Sequence, residues 1–188
     1  YLVMSTDSGG LGFSKKGVGG LKSTITPLLY LLPLLSGALA ERFGYRKMLM
    51  FAFSIMSVGY FLTSMATSYA LVFGSLLLMA VGAGLFKPVI AGTIARETTE
   101  SNSGLGFGIF YWSINLGAFI FPLVLIPYLK GVSWSYIFIM AAIGTGWLLL
   151  LNIFVFKEPQ RPKSTKSLGE VLQGIVLVLK DFRFVSMI

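Results

Sequence analysis

The chain has 188 residues, of which 55% are hydrophobic and only 12% are charged, whereas a soluble domain carries about a quarter charged residues. The composition excludes an ordinary soluble domain and indicates a helical membrane protein. The sequence contains neither cysteine nor histidine, which excludes disulfides, cysteine-ligated metal sites and histidine-based acid–base chemistry. The formal charge of +8 lies mainly between apolar blocks, which fits membrane topology better than nucleic-acid binding.

Five apolar blocks are long enough to cross a bilayer as helices. In chain order they span about residues 21–40, 48–66, 69–95, 104–129 and 133–156. Residues 1–5 are predicted to be the tail of an earlier helix, and a loop containing glycine and serine is predicted from there to about Gly20. The expected fold class is an all-α integral membrane protein in which residues 1–156 form one transmembrane bundle.

The composition changes after the fifth block. Residues 157–167 are rich in Lys, Arg, Pro, Ser and Thr, which indicates a solvated linker. Residues 168–188 place apolar side chains at helical spacing beside charged ones, which predicts an amphipathic helix and the start of another span near Phe182. Because the sequence opens on Tyr1 and stops within this pattern, we expect a fragment of a longer protein with about six further spans.

Basic residues divide unequally between the two sides of the predicted bundle. Loops 41–47, 96–102 and 157–167 collect most of the lysines and arginines, whereas the opposite side carries four lysines. The positive-inside rule therefore predicts that these three loops are cytoplasmic. The expected location is a cell membrane, either plasma or bacterial inner, crossed several times.

The connection between the first two blocks contains a dense motif of charged residues and glycines. Its members, called the gating motif below, are Gly37, Glu41, Arg42, Gly44, Arg46 and Lys47. Gly37 predicts a close helix approach, Gly44 gives turn freedom, and Glu41 is expected to face the positive end of another helix. A loop whose only role is to set the orientation of the protein in the membrane explains the basic residues. It does not explain the spacing of the glycines and the glutamate.

The motif resembles the loop between helices 2 and 3 of the major facilitator superfamily, written G-x-L-A-D-R-x-G-R-K/R, with Glu41 in place of the usual aspartate. The resemblance implies a gate that stabilises one alternating-access state, with no contact to substrate.

Lys87 lies deep within the third apolar block. A lysine in hydrocarbon costs about 2.5–3.5 kcal/mol on insertion scales and normally faces a cavity or a carboxylate. Snorkelling is the alternative, but Lys87 is more than two helical turns from Arg96, which is far for its side chain to reach water. Pro88 removes the hydrogen bond to the carbonyl of Gly84, which predicts a kink beside the charge. A lysine–carboxylate pair at this depth can exchange protons as hydration changes, and we expect its acidic partner in a part of the protein beyond this sequence.

Tyr111 and Asn115 lie one helical turn apart in the fourth block, on a face shared with Ala118 and Pro122. A buried amide needs a hydrogen-bond partner. Hydrogen bonding between helices and lining of a cavity explain this face equally well.

The segments around Gly84, Lys87 and Pro88 and around Tyr111 and Asn115 together resemble the proton-coupled oligopeptide transporter family within that superfamily. There, the helix 4 lysine pairs with acidic residues of helix 1 in proton and peptide coupling, and the helix 5 asparagine lines the peptide site. The resemblance implies these roles for Lys87 and Asn115.

Tyr30 resembles the helix 2 tyrosine that lines the same pocket, although packing against a neighbouring helix explains an aromatic residue here equally well. The fold that the resemblance implies is the N-terminal six-helix bundle of the superfamily, with helix 1 largely missing and helix 7 only begun.

The expected function is secondary active transport of di- or tripeptides, or peptide-like compounds, by proton-coupled alternating access. A proton gradient is the expected energy source, without a cofactor, and the expected partners are the bilayer, the substrate and a C-terminal six-helix half. Alternatives are a superfamily exporter or importer of drugs, sugars or other organic ions, and a non-transporting receptor or scaffold. An enzyme is not expected, because no nucleophile, acid–base pair or metal cluster is evident at membrane depth.

Overall fold

The computed structural model describes residues 1–160 and 169–170, and within these ranges the chain is helical and contains no strand. The helices are α1 (Lys15–Phe43), α2 (Tyr45–Met65), α3 (Tyr69–Glu97), α4 (Ser103–Ile120), α5 (Ile126–Val132) and α6 (Trp134–Phe154). A 3-10 turn, Thr6–Ser8, precedes α1, and a π-helical turn, Phe121–Leu125, joins α4 to α5. Counting Ser103–Val132 as one span, the described residues contain five helices long and apolar enough to cross a membrane. The predicted all-α membrane fold is confirmed.

The first helix begins earlier than predicted. Lys15 follows Ser14, whose side chain accepts a hydrogen bond from the amide of Gly17 at 3.1 Å. A serine cap of this kind satisfies one of the unpaired amides at a helix start. The prediction of a loop up to Gly20 was therefore wrong, because the cap outweighs the low helix propensity of the glycines that follow.

Residues 1–5 are not the tail of a helix, so this prediction was also wrong. The carbonyl oxygens of Tyr1, Leu2 and Met4 accept hydrogen bonds from amides that lie ten, eleven and eight residues further along the chain, respectively. A helix would direct these carbonyls to amides four residues ahead. The Tyr1 ring instead stacks on Trp134, with 5.5 Å between ring centroids.

Helix α2 lies between α3 and α6 and packs on both. Two glycines allow the close contact with α3. A Cβ at Gly82 would lie 2.8 Å from the carbonyl oxygen of Ala52, and one at Gly59 would lie 3.0 Å from the amide nitrogen of Met79. Since both obstacles are backbone atoms, the α2–α3 spacing depends on these glycines. The adjoining apolar core consists of Ala40, Tyr45, Met48, Leu49, Ala52, Phe53, Leu85 and Val89.

Helices α1 and α3 lie side by side and run in the same direction. Near their starts, the hydroxyl of Tyr69 donates to the carbonyl of Gly17 at 3.1 Å. Near their ends, Arg96 pairs with Glu41. Residues that face each other along the pair are therefore separated by about 52 to 55 positions in the sequence.

The fourth predicted block, 104–129, is not one regular helix. In the π-helical turn, the amide of Ile126 donates to the carbonyl of Phe121, five residues back. Pro122 and Pro127 have no amide hydrogen, so each removes one regular α-helical hydrogen bond, and a widened turn between them accommodates the loss. No residue of α4 itself is buried among the described residues.

Much of the predicted C-terminal part lies outside the described residues. Of the predicted linker 157–167, the structure describes residues 157–160. Of the predicted helix 168–188, it describes residues 169–170, which are helical. The span predicted to start near Phe182 lies outside the described part.

Candidate functional site

Arg96, near the end of α3, connects the ends of three helices. Its Nη2 donates to Glu41 Oε1 of α1 at 3.2 Å, and its Nε donates to Tyr45 Oη of α2 at 2.9 Å. The guanidinium also lies over the Tyr45 ring, 5.5 Å from the centroid. Arginine can make all three contacts at once because its planar group combines a fork of donors with a face that stacks on aromatic rings. We call Glu41, Tyr45 and Arg96 the Arg96 cluster.

The Tyr45 ring lies against Gly92 of α3 and is only 4% exposed. A Cβ on Gly92 would lie 2.8 Å from Tyr45 Cε1. The glycine therefore provides the space that lets the tyrosine pass beneath Arg96, one turn further along the same helix.

Gly44 forms the whole connection between α1 and α2. It has φ +105°, which favours glycine. Its amide donates to the carbonyl of Ala40 at 2.9 Å, and its carbonyl accepts from the amide of Met48 at 3.0 Å. The predicted turn role of Gly44 is confirmed. The predicted close approach at Gly37 is not found, because among the described residues no atom lies within 4 Å of a Cβ built there.

A carboxylate does lie at a helix N-terminus, but it belongs to Glu158, beyond the end of α6. Its Oε1 accepts from the amide of Tyr45 and its Oε2 from the amide of Arg46, both at 2.8 Å. Glu41, which we expected at such a position, pairs with Arg96. The two remaining basic residues of the gating motif, Arg42 and Lys47, are exposed.

The Arg46 side chain extends from α2 to the last turn of α6. Its Nε donates to the carbonyl of Asn152 at 3.3 Å, and its Nη2 donates to the carbonyl of Ile153. In return, Asn152 Nδ2 donates to the carbonyl of Arg46 at 3.0 Å. Asn152 is 4% exposed, so this exchange is largely shielded from solvent.

Lys87 is exposed on α3. It lies three residues after Gly84, where a Cβ would be 2.7 Å from the Leu32 side chain of α1. Among the described residues no carboxylate lies within 4 Å of the Lys87 ammonium. Helix α3 continues through Pro88, and the kink there stays a prediction.

Tyr30 lies on α1 and is 72% exposed, so its ring is not buried against a neighbouring helix of the described part. Because facing residues of α1 and α3 are about 52 positions apart in the sequence, Tyr30 lies level with about residue 82 of α3. Lys87 is therefore about five residues, or about 7 to 8 Å, further along the helix pair. The structure thus places these two predicted site residues on adjacent helices, about 7 to 8 Å apart along the helix axes.

Tyr111 and Asn115 lie on α4, where both are exposed. Asn115 Nδ2 donates to the carbonyl of Tyr111 at 2.8 Å, within the same helix. No hydrogen bond between described residues joins Asn115 to Tyr30 or Lys87. Helix α4 meets α3 near Gly106, where a Cβ would lie 2.8 Å from Thr98 Cγ2.

The sequence prediction missed the side chains that organise the charged end of the bundle. Arg96 was counted only as a topological charge, and Asn152 and Glu158 were given no role. Glu158 is 113 residues from Tyr45 along the chain, so no local pattern signals their contact. The one local feature that could have drawn attention to Glu158 is its place just after a predicted span and before Pro159.

The amino-acid sequence matches proteins of one superfamily over nearly its whole length. It is 28% identical over 192 residues to a di-/tripeptide transporter of Lactococcus lactis subsp. cremoris and 30% identical over 191 residues to the uncharacterized transporter YclF of Bacillus subtilis. In each case the match covers 95% of this chain and 38% of the relative.

A solved structure shares the fold. The crystal structure of a POT family transporter in complex with 5-aminolevulinic acid superposes with a TM-score of 0.78 at 26% identity, over 95% of this chain and 39% of that one. The profile of the Major Facilitator Superfamily matches residues 6–187. Together with the helical bundle and the charged connection between α1 and α2, this match shows that the chain belongs to the Major Facilitator Superfamily.

Proposed function

We propose that this chain is the N-terminal half of a proton-coupled transporter of di- or tripeptides, or of peptide-like compounds, that works by alternating access. The similarity to the Lactococcus lactis di-/tripeptide transporter supports the substrate class. The observation that carries the proposal is Lys87, a cation on a membrane-spanning helix that is exposed beside the line where α3 meets α1.

Lys87 and Tyr30 form the part of the proposed site that spans two adjacent helices. An ammonium in a low-dielectric cavity attracts a carboxylate, whether that of a peptide or that of another helix. Protonation of such a carboxylate weakens the pair, which couples substrate release to the proton gradient. Asn115 and Tyr111 on α4 supply an amide and a phenol for the polar groups of the substrate.

The Arg96 cluster and the gating motif form the proposed gate. They lie at one end of the bundle, together with the exposed Lys157. The positive-inside rule favours the cytoplasmic side for this end, in a multi-pass protein of the plasma or bacterial inner membrane. We assign this end to holding one access state closed.

The test is uptake of a labelled dipeptide by the full-length protein in proteoliposomes, with and without an inward proton gradient. Lys87→Gln removes the charge at nearly constant size. Lys22→Gln, at an exposed lysine near the start of α1, is the matched control. We expect gradient-driven uptake in the wild type and in Lys22→Gln, and a loss of about tenfold or more in Lys87→Gln, since an intramembrane charge carries the coupling.

Two results contradict the proposal in different ways. Full gradient-driven uptake by Lys87→Gln shows that this lysine is outside the coupling path. Absence of dipeptide uptake by folded wild-type protein excludes the peptide substrate and favours another superfamily solute, such as a drug, a sugar or an organic ion. Binding without transport of any such solute indicates a receptor or scaffold.

A further inference from the structure

The start of α2 needs a cap that its own sequence does not supply. The first amides of a helix have no partner within the helix. Serine, threonine, aspartate or asparagine usually accepts from them at the preceding position. Here that position is Gly44, which the positive φ of the turn favours and which has no side chain. The first amides of α2 therefore need an acceptor from elsewhere in the chain or from water.

Glu158 supplies this cap with both of its oxygens. One oxygen accepts from the amide of Tyr45 and the other from the amide of Arg46, each at 2.8 Å. A carboxylate is favoured here by the two amides and by the positive end of the helix dipole. The segment that leaves α6 is thus attached to the first turn of α2.

Arg46 makes the reverse connection, from α2 to the C-terminal end of α6. The last carbonyls of a helix lack partners and carry partial negative charge. Arg46 donates to those of Asn152 and Ile153, and Asn152 donates back to the carbonyl of Arg46. We call Arg46, Asn152 and Glu158 the α2–α6 clasp.

The clasp and the Arg96 cluster share Tyr45. The Tyr45 amide donates to Glu158, and the Tyr45 hydroxyl accepts from Arg96. Displacing the first turn of α2 therefore changes the position of the hydroxyl that Arg96 holds, and with it the Arg96–Glu41 pair. Among the described residues no ion pair joins Glu158 to Arg96, and Tyr45 is hydrogen-bonded to both of them.

We propose that Glu158 is a positioning residue for the gate, holding the segment after α6 on the first turn of α2 so that Tyr45 meets Arg96. The link to transport rests on the function proposed above, whereas the attachment itself does not. Glu158 therefore connects the segment beyond α6 to the gating motif.

The test uses Glu158→Gln and Glu158→Asp in the full-length protein. Glutamine has one acceptor oxygen where glutamate has two, so one of the two amides loses its partner. Aspartate keeps both oxygens and is shorter by one methylene. Glu100→Gln removes the charge of an exposed glutamate near the same end and is the matched control.

The first readout is a distance between spin labels on cysteines introduced at Lys47 and Lys157, both exposed. The cysteine-free sequence of this chain simplifies such labelling. We expect a narrow distance distribution in the wild type and in Glu100→Gln, a broad one in Glu158→Gln, and partial recovery in Glu158→Asp. A label pair at Lys16 and Thr67, at the opposite end of the bundle, is expected to stay unchanged in all variants.

The second readout separates positioning from simple loss of folded protein. For protein that elutes and melts as the wild type does, we expect Glu158→Gln to lower the maximal uptake rate about three- to tenfold with little change in KM, as loss of one hydrogen bond of ordinary net strength predicts. Arg46→Lys keeps the charge but not the forked donor geometry, and we expect the same broadening and the same loss.

A narrow distribution in Glu158→Gln overturns the proposal whatever the uptake is, and so does a broad distribution with unchanged uptake. If the wild type takes up no dipeptide, the peptide function fails separately, and broadening in Glu158→Gln still supports the attachment.

Discussion

At the residue scale, the charged end of the bundle shows how one side chain can organise three helices. Arg96 contacts Glu41 and Tyr45, and the ion pair with Glu41 is partly open to solvent. An exposed pair of this kind contributes about 0 to 1 kcal/mol. The hydrogen bond to Tyr45 is more shielded, so we expect it to be the stronger contact of the cluster.

Tyr45→Phe measures the contribution of this hydrogen bond. The change removes the hydroxyl that accepts from Arg96 Nε and leaves the ring in place beside Gly92. We expect the free energy of unfolding to fall by about 1 kcal/mol. The measurement is chemical or thermal unfolding in detergent, with Tyr128→Phe as the control because Tyr128 is 75% exposed. Equal shifts in the two variants would show that the hydroxyl contributes nothing specific.

At the element scale, the glycines of α3 differ in whether they contact a neighbouring helix. Gly82 lies against the backbone of α2, whereas no atom lies within 4 Å of a Cβ built on Gly74, among the described residues. Both glycines are in α3 and look alike in the sequence. Only the contact with α2 distinguishes them.

Gly82→Ala is expected to destabilise the bundle by about 1 to 3 kcal/mol, since its Cβ would press on the carbonyl of Ala52. Gly74→Ala is expected to be neutral or stabilising by up to about 1 kcal/mol, because alanine has the higher helix propensity. Unfolding of both variants under one set of conditions gives the comparison. A smaller loss of stability in Gly82→Ala than in Gly74→Ala would contradict the close α2–α3 packing.

The same scale shows what could be predicted from the sequence. The spans follow from local composition, because a run of about 20 apolar residues is visible without knowing any partner. Packing contacts depend on partners that are distant in sequence, so Gly37 was predicted to pack closely while no close contact was predicted for Gly59 or Gly82. For the same reason Glu41 was predicted at the N-terminal end of another helix, whereas the carboxylate found at such an end belongs to Glu158. Lys87 and Tyr30 lie on helices long and apolar enough to span a membrane, and their roles stay predictions.

At the scale of the whole molecule, the two groups of basic residues lie at opposite ends of the helices. Arg96 and Arg46 lie at the end where α1 meets α2, and Lys130 lies over the Trp134 ring at the other end. By the positive-inside rule, the unequal charge of the two ends predicts a preferred orientation in a membrane.

Single cysteines at Lys157 and at Lys16 test this orientation. We expect a membrane-impermeant maleimide to label the Lys16 position in intact cells and the Lys157 position only after the membrane is opened. A permeant maleimide applied in parallel controls for the reactivity of each site. Labelling of the Lys157 position from outside would reverse the proposed topology and place the gate on the outer face.

The single-residue turn at Gly44 makes α1 and α2 a rigid elbow, because the amide and the carbonyl of this residue are both bonded into the flanking helices. Helix α1 has 29 residues and so extends about 43 Å from the elbow. If the two helices tilt together by about five degrees about this end, the far end of α1 moves by about 4 Å and Tyr30 by about 2 Å. A small rearrangement at the charged end is thus amplified along α1 into a displacement of several ångströms at its opposite end.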